Sequence, residues 1–128
     1  MDGIFVAAPP GAAWQLSRDE FQAHLRQRFP QARCYEKQEP ITRQDYLGFY
    51  VELDNTERHG SYFEHRNLVL EDALPGEWAD TIAWFLGLLP ADAPVVAVLE
   101  SNPETMAPVP ARADTQTIRD LLDALAED

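Results

Sequence analysis

From Tyr46 to Leu53 the chain alternates, with Leu47, Phe49, Val51 and Leu53 on one side and Tyr46, Tyr50 and Glu52 on the other. A period of two over eight residues fits a strand with one buried face, and such a strand needs neighbouring strands and a cover. Four further runs supply the neighbours: Ile4 to Ala8, ended by Pro9-Pro10-Gly11; the weaker Ala32 to Lys37; the aromatic and branched run Tyr62 to Leu70; and Val95 to Leu99. The polar stretch Asp54 to Gly60 is predicted as the turn of an antiparallel hairpin joining 46–53 to 62–70. Val95 to Leu99 is apolar at every position, which predicts a strand covered on both faces in the middle of the sheet.

Helices provide the cover. Ser17 and Glu20 form an S-x-x-E capping box, Leu16 and Phe21 occupy the staple positions, and Phe21, Leu25 and Phe29 make one stripe before Pro30. A helix over 17–29 is expected. Pro75 suits the first turn of a second helix over about 76–89, with the stripe Trp78, Ile82, Phe85, Leu86 and Leu89 and a stop at Pro90. Asp114 can cap a third over about 114–126, striped by Ile118, Leu121, Leu122 and Leu125. Pro103, Pro108 and Pro110 mark a loop before it, with a short extended piece at Met106 to Val109. The expected fold class is α+β, a mixed, mostly antiparallel four- to five-stranded sheet with about three helices packed on it. One domain over 1–128 fits, since 128 residues at 45% apolar and 25% charged can build a core without staples.

Charge divides the chain unevenly. Residues 1–70 hold eight basic and ten acidic side chains, whereas 71–128 hold two basic and twelve acidic. An acidic field repels phosphates, so no nucleic-acid partner is expected. The apolar stretch Ile82 to Leu89 is too short to span a bilayer, and the N-terminus lacks the basic region of a signal peptide. No membrane association and a cytoplasmic location are therefore expected. Cys34, the only cysteine, cannot form an internal disulfide, and it reads as a small strand residue.

No motif in the chain specifies a chemistry. His24, His59 and His65 form no known ligand spacing, although a hairpin could bring His59 and His65 near Glu57 and Glu64. The carboxylate pair Asp19-Glu20 fits a helix start, and Glu71-Asp72 marks a strand-to-helix connection. The glycines are dispersed, with no phosphate-binding loop. No catalytic residue, metal or cofactor is expected. Helical phase does place Glu77, Asp80, Trp84 and Leu88 together on the side of the second helix away from its core stripe. A large aromatic group among acids is what a binding patch for a basic partner would show.

These residues point to a small acidic protein-binding domain, immunity- or antitoxin-like in composition, that recognises a basic protein. A secretion-chaperone-like homodimer is an alternative. From the first helix onward the order of helix, three strands, helix, two strands and helix loosely resembles the small acidic dimeric type III secretion chaperones, from which the opening strand Ile4 to Ala8 departs. A third possibility is a small-molecule-binding domain or small enzyme, with a pocket between sheet and helices and polar groups from Tyr46, Tyr50, Glu52, His59 or His65.

Overall fold

The computed structural model describes residues 3–71 and 74–127. In chain order these form β1 (Ile4–Ala7), α1 (Arg18–Arg28), β2 (Arg33–Gln38), β3 (Asp45–Leu53), β4 (Thr56–Phe63) and β5 (Asn67–Leu70). A 3-10 turn (Pro75–Trp78) then leads into α2 (Ala79–Leu86), followed by β6 (Val96–Leu99), β7 (Asn102–Pro108) and α3 (Thr115–Glu127). The fold is α+β with three α-helices, but the sheet among the described residues has seven strands, in the order β2-β3-β4-β5-β1-β6-β7. Every pairing in it is antiparallel.

The additional strands have identifiable causes. Asp54 and Asn55 adopt φ of 50° and 63°, the left-handed pair of a two-residue hairpin turn, so β4 starts at Thr56 and the expected turn over 54–60 is mostly strand. The run 62–70 is broken at His65 (φ 69°) into the end of β4 and all of β5. Pro103 and Pro108, which suggested a loop, lie in β7, the last strand of the sheet, where a missing N–H can face away from the ladder. β6 sits one strand in from that edge and not at the centre, between β1 and β7.

The helices follow their signals closely. Ser17 Oγ accepts from the Glu20 N–H at 3.1 Å while the Glu20 carboxylate accepts from the Ser17 N–H at 3.0 Å. These bonds hold Glu20 below the usual carboxylate range. Asp114 likewise accepts from Thr117 N–H at 2.8 Å and is lowered by it. Phe21 and Leu25 of α1, Ile82 and Phe85 of α2, and Ile118, Leu122 and Leu125 of α3 all enter one core with Ile4, Val6, Leu47, Phe49 and Leu68. All three helices therefore lie against the same face of the sheet.

Tyr62 fastens that face to the segment entering α1. Its hydroxyl donates to the Leu16 carbonyl at 2.7 Å and accepts from the His65 N–H at 3.3 Å, with the side chain fully buried. Burial pushes its pKa up to about 12 from a usual value near 10. Below pH 10 folded and unfolded chains both keep the proton; above it the unfolded chain releases it first. Stability should then fall by about 1.4 kcal/mol per pH unit between pH 10 and 12. Urea midpoints measured from pH 9 to 12 test this, and a Tyr62→Phe chain falling as steeply as the wild type would refute the assignment.

Candidate functional site

Antiparallel sheets with one covered face usually turn polar side chains outward on the other. This one does not. In register, Tyr35 of β2, Gly48 of β3, Ser61 of β4, Val69 of β5, Phe5 of β1 and Val98 of β6 form one row across six strands on the face opposite the helices. Neighbouring rows on that face add Tyr46 beside Phe63 and Tyr50 beside His59. The rings of Tyr46 and Phe63 stack with centroids 4.6 Å apart. These rings and branched side chains are half-buried by one another, with no helix over them among the described residues.

The row has a dip where its two smallest members, Gly48 and Ser61, are paired. Tyr35 lies across Gly48 so closely that a Cβ there would meet its ring at 2.0 Å, which is why the position has no side chain. From there the Tyr35 hydroxyl reaches His59 Nε2 at 2.6 Å, and His59 Nδ1 lies 3.0 Å from Glu71 Oε2. Burial, then the neighbouring Tyr50, Tyr46 and Glu71, push the Tyr35 phenol up. Tyr35, His59 and Glu71 thus form one chain of polar contacts through both ring nitrogens of the imidazole, and it braces the positions of two rings and a carboxylate.

Between this brace and the Tyr46–Phe63 stack lies a hollow of about 590 Å³, lined also by Phe5, Ser61 and Val69. The segment from Glu39 to Gln44 borders it, held by a bond from Gln44 Nε2 to the Glu64 carbonyl at 3.1 Å. A second hollow of about 320 Å³ adjoins it between Val96, Val98, Met106 and the Pro9-Pro10 turn, and Arg66 borders both. Met106 there is 53% exposed. The expected double cover of Val95 to Leu99 is thus corrected: Val96 and Val98 point to the helix-free side. Alternation alone cannot tell a covered apolar face from an open one.

Of the residues expected to form a patch on α2, two come together. Glu77 pairs with Arg58 at 3.2 Å and Asp80 with Arg28 at 2.7 Å. Asp80 also accepts from Thr115 Oγ1 at 3.2 Å. Both carboxylates line a groove of about 910 Å³ bordered by the β3–β4 turn, the 3-10 turn and α3. Trp84 and Leu88 do not line it; both are half-buried against the core, Trp84 with its ring 6.1 Å from Phe21 and 6.3 Å from Phe29.

Tyr46, Tyr50 and His59 stand on the helix-free face, whereas Glu52 lines the groove with Asp54. His65 is not brought to His59. It occupies the β4–β5 turn, with Nδ1 2.8 Å from the Trp14 carbonyl and Nε2 3.6 Å from Glu64. Glu57 pairs with Arg33, and His24 is exposed on α1. Of the pair Glu71-Asp72, Asp72 lies outside the described residues. Cys34 is a free, half-buried thiol on β2, raised by its burial. No group of three or more His, Cys, Asp or Glu among the described residues could hold a metal ion, and none of the helices is long and apolar enough to cross a membrane.

Sequence reasoning missed Tyr35, Ser61, Glu71 and Phe5. A signal existed in the second set of the 46–53 alternation, since Tyr46 and Tyr50 are large aromatic groups where a solvated face would carry charge. Comparison of the chain with family models, curated proteins and solved structures gives no match.

Proposed function

We propose that the chain is a protein-binding domain that takes a basic protein partner against the helix-free face of its sheet. The observation that carries this is the row of aromatic and branched side chains running from Tyr35 to Val98 on the face without helices. An apolar surface spread over six strands costs solubility unless something uses it, and contiguous patches rimmed by polar groups mark interaction sites. Charge gives the partner its sign. No Lys, Arg or His occurs between positions 67 and 111, and the strands of that stretch have Glu71 directly after β5, Glu100 directly after β6 and Glu104 within β7, with Arg66 just ahead of β5. Apolar burial would supply the affinity and the carboxylates would steer a cationic surface into place.

The groove holding Glu77 and Asp80 is a second possible docking place. There both carboxylates already have guanidinium partners from Arg58 and Arg28, which an incoming cation would have to displace. The sheet face asks for no such exchange around Val98. A photo-crosslinking residue at Val98, compared with one at Ala126 in the groove, separates the two in cells that make the protein. Capture from Val98 of a protein rich in Lys and Arg, weakened by salt and lost in a Val98→Glu chain, is the expected result. Capture from Ala126 alone, or of an acidic protein, would sink the reading.

A further inference from the structure

We infer that the 590 Å³ hollow beside the Tyr35–His59–Glu71 chain is the receptor for a single arginine side chain of the partner. The inference rests on the docking reading above and gives it a specific anchor. The structure contains its own template for such a site on the same face. Arg33 lies with its guanidinium 4.7 Å from the centroid of the Tyr50 ring while its Nη2 pairs with the Glu57 carboxylate at 2.6 Å. One ring face and one carboxylate hold that guanidinium, the arrangement a planar, delocalised cation prefers. Lys37, also on this face, lies 5.9 Å from the Tyr35 ring. Both cations of β2 on this face thus lie near tyrosine rings.

The hollow also brings aromatic rings and carboxylates together, and among the described residues no cation lies over its Tyr46 or Phe63 rings, although Lys37 lies near Tyr35. Tyr46 and Phe63 supply the aromatic wall, and Glu71, half in solvent, supplies the carboxylate. His59 fixes that carboxylate from one side through Nδ1, so little side-chain freedom remains to be lost on binding. Glu39 adds a second carboxylate to the lining, against one guanidinium from Arg66 at the border with the neighbouring hollow. The lining's two carboxylates outnumber its one guanidinium. Ser61, buried between the walls, leaves a hydroxyl that can accept from a guanidinium N–H.

The test uses the full chain and two probes, N-acetyl-arginine methylamide and its uncharged counterpart N-acetyl-norleucine methylamide, followed by amide chemical shifts. Arginine should give saturable millimolar binding with the largest shifts at Phe5, Ser61 and Val69, and norleucine should bind at least fivefold more weakly. Glu71→Gln should weaken the arginine probe roughly fivefold and leave norleucine unchanged. Ser61→Phe, which fills the hollow, should abolish both. Equal binding of the two probes, or no saturation by arginine to about 100 mM, would overturn the inference. If Val98 still captures a basic partner in that case, only the anchor fails; loss of the Val98 result removes the docking reading itself.

Discussion

Replacing Phe21 by alanine is expected to destabilise the fold by about 3–5 kcal/mol, the cost of a large cavity at a fully buried aromatic position. Phe21 is 0% exposed and its ring meets four others: Tyr62 stacked at 4.6 Å, Phe49 at 5.6 Å, Phe85 at 6.0 Å and Trp84 at 6.1 Å. It is the point where α1 touches β3, β4 and α2 together. Removing it unseats aromatic contacts worth about 0.5–1.5 kcal/mol each beyond the area they bury, and the neighbours belong to three different elements and cannot all collapse inward. Phe29, at the end of the same helix, is only half-buried, so Phe29→Ala should cost clearly less. Guanidinium melts of the two variants provide the measurement. A Phe21→Ala loss below about 1.5 kcal/mol would show that the aromatic cluster is not the centre of the core.

The position of Phe21 was legible from the sequence because several local signals agreed on it. The capping box at Ser17 and Glu20, the staple position and the spacing to Leu25 all gave the same helix with the same inward face, and the structure keeps every one of them. The stripes of α2 and α3 were legible for the same reason. Strand number was not, because β4 and β7 carry signals that point away from strand. Thr56 to His59 is polar on both sides, since this end of β4 is bordered by solvent and by Arg33–Glu57, and β7 carries two prolines. What makes them strands is the ladder next to them, a tertiary cause that no window of sequence contains.

The candidate surface was harder to read for a further reason. Tyr35, Ser61, Val69 and Phe5 come from four different strands, spread from position 5 to position 69, and only register makes them neighbours. Gly48 shows how indirect the signal is. In sequence it is a gap in an alternating strand, and in three dimensions it is the bed on which Tyr35 lies so that its hydroxyl can reach His59 two strands away. A glycine inside an otherwise strong strand therefore says that something crosses it, without saying what.

Trp84 is the residue on which the helix patch and the sheet face make opposite forecasts. Helical phase alone turned it away from Phe85 and Leu89, which suggested an outward aromatic group among Glu77, Asp80 and Leu88. In the fold, the Trp84 ring lies 6.1 Å from Phe21 of α1 and 6.3 Å from Phe29 just beyond it. A second apolar side on a helix is then a second core contact. Trp84→Ala is accordingly expected to cost about 2–3 kcal/mol of stability, less than Phe21→Ala because Trp84 keeps part of its surface in solvent. Trp84→Phe, which retains a ring between α1 and α2, should recover more than half of that. Partner binding, measured on chains kept well below their melting temperature, should change little in either variant, while Val98→Glu should abolish it. Denaturant melts and a binding isotherm on the same preparations settle the matter: unchanged stability with a loss of 2 kcal/mol or more in affinity is the signature of an interface hot spot, and would return the docking surface to α2.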